Sequence, residues 1–155
     1  MQKIGVISDT HGLLRPEVLE VLSGVDIIVH AGDSGGRAVL DELGRIAPLH
    51  AVRGNCDFGP LSGLPPDLVV ETDAGLFYAL HDLCQLRLEP VAAQIVAVIH
   101  GHTHLPDVRY KDNVLYLNPG SAGPERPGKP VSIAVVEIDG SGGIAPSVIT
   151  LRDAR

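Results

Sequence analysis

Five short polar clusters in this chain of 155 residues carry side chains that could bind a metal ion. They contain Asp9 with His11, Asp33, Asn55, His81, and His102 with His104. Carboxylates, imidazoles and an amide oxygen suit Mn, Fe or Zn, and none of these positions requires a thiolate. Seven such side chains are more than one small site needs. We therefore expect two divalent metal ions, about 3.5–4 Å apart, that share one carboxylate and hold a phosphoryl group.

Each cluster taken alone has a simpler interpretation. Asp33 precedes a predicted helix, where it could act as an N-cap, and Gly54-Asn55 is a common turn sequence. The strongest single piece is Gly101-His102-Thr103-His104, because two histidines around a tight glycine turn can reach separate metals. The joint occurrence of the clusters, each at the end of a predicted strand, is what favours a metal site.

Alternating apolar runs and helix-like segments predict the elements that carry these clusters. In the first half we expect a parallel β-α-β-α-β unit, because short strands alternate there with amphipathic segments. Its predicted elements are Lys3–Ser8, helix Pro16–Ser23, Asp26–His30, helix Ser34–Gly44 and Pro48–Arg53. The second half predicts strands Leu68–Thr72, Leu76–His81, Ile95–Ile99, Val108–Lys111, Val114–Leu117, Val131–Ile138 and Ser147–Leu151, with a helix at Leu83–Gln94. The carboxyl ends of parallel strands meet at one edge, which is where ligand crevices form.

Composition limits the class of protein. The length predicts one domain over residues 1–155, and a net charge of −7 argues against an extended nucleic acid or an anionic membrane as partner. Two cysteines make no disulfide framework, and from the apolar run at residues 3–7 and the shortness of all apolar runs we expect neither a leader sequence nor a membrane span. We therefore expect a cytoplasmic protein, and a homo-oligomer stays open.

The ordered motif set resembles the calcineurin-like metallophosphoesterases, and within them the small single-domain YfcE-like phosphodiesterase branch. The similarity rests on Asp9-x-His11, Gly32-Asp33, Gly54-Asn55-x-Asp57, His81, Gly101-His102-x-His104 and Asn118-Pro119-Gly120-Ser121. It implies a four-layer αββα sandwich, in which two mixed sheets are flanked by helices and the metals lie at one end. It also implies a phosphodiesterase that hydrolyses a small phosphodiester by attack of a metal-bridging hydroxide.

Carried over by motif, the resemblance implies a ligand set for each metal. The first metal would take Asp9, His11, Asp33 and His104, and the second Asp33, Asn55, His81 and His102. Asp33 would bridge the two, since a negative group between two dications offsets their repulsion. Asn55 would bind metal through its oxygen and orient phosphate through its amide hydrogens. Manganese is the expected metal, with iron, nickel and zinc as alternatives.

The chain departs from the family pattern at three positions. The catalytic histidine that follows the motif Asn in many members is Cys56 here, so Cys56 is a candidate proton donor beside the catalytic Asn55. Asp82 stands where the family usually has Gly, and it either orients a ligand histidine or faces solvent. The arginine expected after Asn118-Pro119-Gly120-Ser121 is displaced to Arg126, which puts its phosphate role in doubt.

The remaining histidines and the second cysteine predict structural roles. His30, His50 and His100 lie in or next to apolar strands, and Cys84 is expected to be a small buried residue. Two other functions compete with the phosphodiesterase. One is a non-catalytic interaction scaffold of the same fold, as in a retromer subunit, and the other is a nuclease on long nucleic acid. A complete ligand set argues against the first, and the acidic charge argues against the second.

Overall fold

The computed structural model describes residues 1–153, so the last two residues of the predicted domain, 154–155, lie outside the described part. Within this range the chain forms ten strands and two α-helices. The strands are β1 (Gln2–Ile7), β2 (Ile27–His30), β3 (Leu49–Ala51), β4 (Asp67–Thr72), β5 (Gly75–Leu80), β6 (Ile95–Ile99), β7 (Asp107–Lys111), β8 (Val114–Asn118), β9 (Val131–Ile138) and β10 (Ile144–Arg152). The helices are α1 (Pro16–Leu22) and α2 (Arg37–Gly44).

The strands form two five-stranded mixed sheets, in the order β10-β9-β1-β2-β3 and β4-β5-β6-β8-β7. In the first sheet β1, β2 and β3 run parallel, as the β-α-β-α-β pattern predicts. In the second sheet β5, β6 and β8 run parallel. Two sets of parallel strands therefore end at their carboxyl sides with polar loops.

The two sheets face each other across an aliphatic core. Alternate residues of the strands point into this layer, which is how a period of two buries one face of each strand. Its members include Ile4, Val29, Phe77, Ile99 and Leu117, which are all completely buried. Phe77 is the only aromatic side chain in this buried layer, so aliphatic packing holds the sheets together.

Both α-helices pack on the outer face of the first sheet. Pro16 begins α1 at a position where its missing N–H costs nothing, and Val18 and Leu22 lie one turn apart on the buried side. In α2 the buried residues are Val39, Leu40 and Leu43. The helices and the sheet share one apolar cluster, which completes the first two layers of the predicted sandwich.

The outer face of the second sheet lacks the helix that the sequence predicts at Leu83–Gln94. That prediction is wrong: the chain forms one 3-10 turn, Leu83–Gln85, followed by irregular turns. Asp82 caps this turn by accepting a hydrogen bond from Cys84 N, and Pro90 interrupts the helical bonding pattern further on. Leu83, Leu86 and Leu88 still pack on the sheet. The predicted sandwich of two mixed sheets is confirmed, with its fourth layer made of loop.

Three predicted boundaries also move. Helix α2 starts at Arg37 rather than Ser34, because Ser34 O accepts hydrogen bonds from Gly12 N and from the Thr10 hydroxyl instead of starting a helix. Strand β3 is only Leu49–Ala51. Strand β10 begins at Ile144 and includes Pro146, which an edge strand tolerates. Within residues 1–153, we find no helix with the length and apolarity that crossing a bilayer demands.

Candidate metal centre

The parallel strands deliver all seven predicted ligands to one end of the sandwich. Asp9 and Asp33 follow β1 and β2, His81 directly follows β5, and His102 lies just beyond β6. Of the remaining predicted ligands, His11 lies on the loop after β1, Asn55 on the loop after β3, and His104 on the loop after β6. The convergence arises because parallel strands of both sheets end on this side.

Five of the seven predicted ligands have a left-handed backbone, which is uncommon outside glycine. Their φ angles are 56° at Asp9, 46° at His11, 56° at Asp33, 74° at His102 and 64° at His104. Such conformations cost free energy and persist only where the surrounding structure imposes them. The loops therefore turn sharply enough to aim successive side chains at one point.

Asp9 supplies a buried carboxylate with one free oxygen. Its Oδ2 accepts hydrogen bonds from the Ser8 hydroxyl at 2.6 Å and from His102 N at 3.1 Å. Its Oδ1 has no hydrogen-bond partner in the described chain, although the side chain is fully buried. Three ring nitrogens surround this oxygen: Nε2 of His104 at 3.3 Å and Nε2 of His11 and His81 at 3.8 Å. A buried carboxylate oxygen without a hydrogen-bond partner needs an explanation, and a cation held between it and the imidazoles would supply one.

Asp33 holds a second carboxylate in the same way. Its Oδ1 accepts a hydrogen bond from Cys56 N at 2.7 Å. Its Oδ2 lies 3.2 Å from His81 Nε2 and 3.9 Å from His11 Nε2. This oxygen therefore faces one histidine of each predicted metal position, as a shared ligand must.

Asn55 and two histidines close the other side of the centre. Asn55 Oδ1 lies 3.0 Å from His81 Nε2 and 3.2 Å from His102 Nδ1. His81 Nδ1 donates to the carbonyl of Ala31 at 2.7 Å, so its Nε2 is the nitrogen left for the site. Asp82 Oδ2 lies 3.9 Å from His102 Nε2, on the far side of that ring. His102 thus presents Nδ1 to the centre.

The electrostatics of the centre favour charged carboxylates. Burial acts to raise the pKa of Asp33, but the His81 side chain and the Cys56 N–H outweigh it and lower the pKa to about 2. Burial likewise opposes ionisation of Asp9, yet contacts with His104 and Ser8 hold its pKa below the ordinary value. Burial lowers the pKa of His81, but Asp33 and Asp9 raise it above the ordinary value. A proton on His81 and a divalent cation would compete for these same oxygens.

Two glycines leave room for the carboxylates. A Cβ on Gly54 would overlap the Asp33 carboxylate, and a Cβ on Gly101 would lie 2.7 Å from Asp9 Oδ2 and closer still to the Ser8 hydroxyl. Any larger residue at either position would displace the carboxylate of a predicted ligand. The glycines of the two motifs are therefore explained by close packing against the site.

The donor atoms fit divalent metal ions. Ligand atoms of Asp9, His11 and His104 lie within 4.8 Å of one another, and so do those of Asp9, Asp33 and His81. Both groups combine carboxylate oxygen with imidazole nitrogen, which suits first-row divalent metals. The unpartnered Oδ1 of Asp9 lies within 3.8 Å of a ring nitrogen of His11, His81 and His104, and a cation held there would give it a partner.

Two positioning residues carry roles that sequence reasoning missed. Asp57 Oδ2 accepts hydrogen bonds from Asp33 N at 2.9 Å and Gly54 N at 2.8 Å. Asn118 Nδ2 donates to Gly101 O at 3.1 Å and to the Thr103 hydroxyl at 3.0 Å. Both residues lie in quoted motifs, but bonds to backbone atoms leave no pattern of their own in a sequence. Asp57 fixes the Asp33 loop, and Asn118 fixes the loop of His102 and His104.

The other singled-out residues have mixed outcomes. His30 and His100 are buried and His50 is half-buried within β3, in keeping with structural roles. The prediction for Cys84 is wrong, because the 3-10 turn exposes it to solvent. Arg126 is exposed in a turn closed by Lys129 N and Arg126 O, whereas Lys129 Nζ donates to Thr103 O at 2.9 Å. The cation that contacts the ligand loop is therefore Lys129.

Comparison with known families identifies this arrangement. Residues 2–141 match the description "Calcineurin-like phosphoesterase superfamily domain". The chain belongs to this superfamily. It is similar to a probable metallophosphoesterase of Methanothermobacter thermautotrophicus, at 36% identity over 88% of this chain and 86% of the relative. It is also similar to Phosphodiesterase YfcE of Escherichia coli strain K12, at 30% identity over 99% of this chain and 94% of the relative.

Solved structures support the superfamily fold. A conserved protein from Streptococcus pneumoniae TIGR4, described as a predicted phosphoesterase, superposes with a TM-score of 0.76 at 30% identity, covering 96% of this chain and 89% of that one. Vacuolar Protein Sorting 29 from Cryptosporidium parvum gives a TM-score of 0.77 at 18% identity and covers 98% of both chains. The second likeness is one of fold alone.

A small cavity adjoins the centre of this superfamily member. It has a volume of about 230 Å³ and opens beside Asn55, His81 and His102. Its other walls are Arg53, Gly54, Pro66, Asp82 and Gln85. The volume is below the roughly 300–1,000 Å³ of pockets for drug-sized ligands, so it would admit only a small group beside the predicted metal ligands.

Proposed function

We propose that this metallophosphoesterase is a phosphodiesterase that hydrolyses a small phosphodiester at a two-metal centre. The ligands proposed for the first metal are Asp9, His11, Asp33 and His104, and those for the second are Asp33, Asn55, His81 and His102. The observation that carries the proposal is the convergence of two carboxylates with four imidazoles and one amide, including the unpartnered buried Oδ1 of Asp9. Manganese, ahead of iron, nickel or zinc, stays a prediction.

When bound, two such cations would polarise the phosphoryl oxygens and lower the pKa of a water molecule for attack on phosphorus. The chain's own residues do the positioning. Asp33 offers Oδ2 between His11 and His81, at 3.9 and 3.2 Å. Asn55 directs Oδ1 at the two histidines and donates from Nδ2 to Cys56 Sγ at 3.5 Å, which leaves its second Nδ2 hydrogen for a phosphate oxygen.

The leaving group would meet the exposed Cys56. This candidate catalytic residue stands where many members of the family that the chain resembles have a histidine. Burial, together with the charges of Asp33 and Asp57, raises the pKa of the Cys56 thiol, so the thiol keeps its proton at neutral pH in the metal-free protein. A thiol is a weaker acid than an imidazolium ion. This favours substrates whose leaving group needs little protonation.

Metal-dependent hydrolysis of bis(4-nitrophenyl) phosphate tests the proposal. Chelator-stripped protein should be inactive and should regain activity with added Mn²⁺. Asp33→Asn should lose most of that activity, because the neutral amide cannot bridge two cations. Asp41→Asn, an exposed site on α2, is the matched control and should behave like the wild type. Metal-independent activity, or full activity of Asp33→Asn, would contradict the proposal.

A non-catalytic scaffold of the same fold is the alternative. The likeness to Vacuolar Protein Sorting 29 is one of fold alone, so it does not decide whether this chain is active. The complete ligand set argues for the enzyme. Inactivity of the protein with both metals demonstrably bound, across several phosphodiesters, would favour the scaffold.

A further inference from the structure

Cys56 belongs to a third group of potential ligands at the rim of the centre. One ligand atom each from His11, Asp33 and Cys56 lies within 4.8 Å of the others. In this group His11 Nε2 and Asp33 Oδ2 are 3.9 Å apart. His11 is half-buried and Asp33 is buried, whereas Cys56 is exposed to solvent. The thiol is therefore the accessible member of a cluster whose other two members already face the metal centre.

The backbone holds Cys56 against the shared carboxylate. Cys56 N donates to Asp33 Oδ1 at 2.7 Å. The residue that follows, Asp57, accepts hydrogen bonds from Asp33 N and Gly54 N and so fixes the loop on both sides. The position of the Cys56 Cα is thus set relative to Asp33, and its sulfur lies within 4.8 Å of a ligand atom of Asp33 and of His11.

The unpartnered Oδ1 of Asp9 supplies an independent indication of a cation beside this cluster, at the shared His11. It is fully buried, has no hydrogen-bond partner in the described chain, and lies 3.8 Å from the same His11 Nε2. A tetrahedral zinc ion with ordinary bond lengths spaces its ligand atoms roughly 3.3–3.6 Å apart. The separation of 3.9 Å between His11 Nε2 and Asp33 Oδ2 is slightly wider than this spacing.

We propose that Cys56 is a metal-selective ligand: its sulfur binds zinc together with His11 and Asp33, and it does not bind manganese. Thiolates prefer zinc, whereas manganese prefers carboxylate, carbonyl and water oxygens. As the sulfur–zinc bond forms, the thiol releases its proton to solvent, one proton for each zinc ion bound this way. The sulfur would then occupy a coordination position that a catalytic site keeps open for water or substrate.

The consequence for activity rests on the proposed phosphodiesterase function. With manganese the thiol stays free, and the open position remains available. With zinc the sulfur closes that position, so zinc would support hydrolysis poorly or inhibit it. Cys56, which stands in place of the family histidine, would thus determine which metal supports hydrolysis.

Alkylation of the wild-type protein tests the ligation without any assay of activity. Chelator-stripped protein is incubated with Zn²⁺, with Mn²⁺ or with neither, treated with iodoacetamide, and digested for mass spectrometry of the two cysteine peptides. We expect Zn²⁺ to slow alkylation of Cys56 at least roughly tenfold, because a metal-bound thiolate is a poor nucleophile, while Mn²⁺ leaves it nearly unchanged. Cys84 is the internal control, since it is an exposed free thiol outside the cluster.

Three results would overturn the inference. They are an unchanged alkylation rate at Cys56 with zinc, equal slowing at Cys56 and Cys84, and equal protection of Cys56 by manganese.

A second measurement is the number of protons released on zinc binding, which calorimetry determines in buffers of different ionisation enthalpy. The wild type and Cys84→Ser should release one proton more than Cys56→Ser, and equal release by all three would also overturn it.

Hydrolysis of bis(4-nitrophenyl) phosphate separates this inference from the proposed function. The ratio of the zinc-supported to the manganese-supported rate should rise several-fold in Cys56→Ser and stay constant in Cys84→Ser. If no metal supports hydrolysis while zinc still protects Cys56, the proposed function fails and the ligation stands. If hydrolysis depends on manganese but zinc leaves Cys56 unprotected, the ligation alone is wrong.

Discussion

Asp57 illustrates how one residue outside the ligand set controls the geometry of the centre. Its Oδ2 accepts the N–H groups of Asp33 and Gly54, and its Oδ1 lies 3.3 Å from Gly35 N and 3.5 Å from the Ser34 hydroxyl. We expect Asp57→Asn to lower the free energy of unfolding by about 2–3 kcal/mol, because an amide NH₂ would face buried N–H donors. Urea unfolding of the metal-free protein measures this difference.

Asp41→Asn is the matched control for this substitution. Asp41 is exposed on α2 and lies 3.8 Å from Arg37, so its loss should change stability by less than about 0.5 kcal/mol. If Asp57→Asn were as stable as Asp41→Asn, the hydrogen bonds at Asp57 would not be holding the Asp33 loop.

Single residues also show where sequence reasoning succeeds and where it stops. The convergence of the seven predicted ligands could be anticipated because each is a metal-binding type of residue near the end of an apolar run, while their role as ligands stays a prediction. The role of Asp57 could not, because its partners are backbone N–H groups that every sequence possesses. The exposure of Cys84 was missed for a similar reason, since it depends on a 3-10 turn capped by Asp82.

At the scale of elements, the end of β8 positions the loop that follows β6. Asn118 is buried, and its Nδ2 binds Gly101 O and the Thr103 hydroxyl, while its Oδ1 accepts from Gly120 N at 2.9 Å. We expect Asn118→Ala to weaken manganese binding roughly 10–100-fold, as is usual for residues that orient metal ligands. Calorimetric titration of chelator-stripped protein with Mn²⁺ measures the affinity.

The turn at the opposite end of β8 provides the control. Asn113 lies in the turn between β7 and β8 with a φ of 62°, a conformation that glycine adopts without strain. Asn113→Gly should therefore keep both the hairpin and the manganese affinity of the wild type. Equal affinities for all three proteins would show that the hydrogen bonds of Asn118 do not position His102 and His104.

The elements themselves were predictable to different degrees. Strands such as β6 and β9 match their predicted ranges because buried β-branched runs have few alternative structures. The segment 83–94 has apolar residues at helical spacing, but three of its leucines reach the second sheet from irregular turns. Tertiary packing of a short amphipathic segment decides between helix and turn, and that information is not local.

At the scale of the whole molecule, charge and buried histidines set the response to pH. The formal charge is −7, so two bound dications would bring it to −7 + 4 = −3 and concentrate positive charge at the substrate end. The expectations of a cytoplasmic location and a small diester substrate stay predictions. In the metal-free protein the raised pKa of His81 makes stability fall as pH rises above 6.5 through that pKa.

His30 acts in the opposite direction and at lower pH. It is completely buried, and its Nδ1 accepts a hydrogen bond from Gly32 N at 3.1 Å. The Thr10 hydroxyl donates to Ser34 O at 2.8 Å, so it accepts from His30 Nε2 at 3.0 Å. His30 is therefore the neutral ring with its proton on Nε2. Burial lowers its pKa to about 4, although the carboxylates of Asp9 and Asp57 act to raise it.

In the unfolded chain His30 binds a proton below pH 6.5, whereas in the folded chain it stays neutral down to about pH 4. Stability is therefore lost as pH falls through this window, by up to about 3 kcal/mol for this one group. We expect His30→Gln, whose amide can keep both hydrogen bonds, to lose that much less stability than the wild type between pH 6.5 and 4. Urea unfolding of the two metal-free proteins at stepped pH measures the difference. His100, whose burial also lowers its pKa to about 4, is present in both proteins and cancels. If the wild type and His30→Gln lost equal stability between pH 6.5 and 4, His30 would take up a proton in the folded state. The assignment of His30 as a neutral, hydrogen-bonded ring would then be wrong.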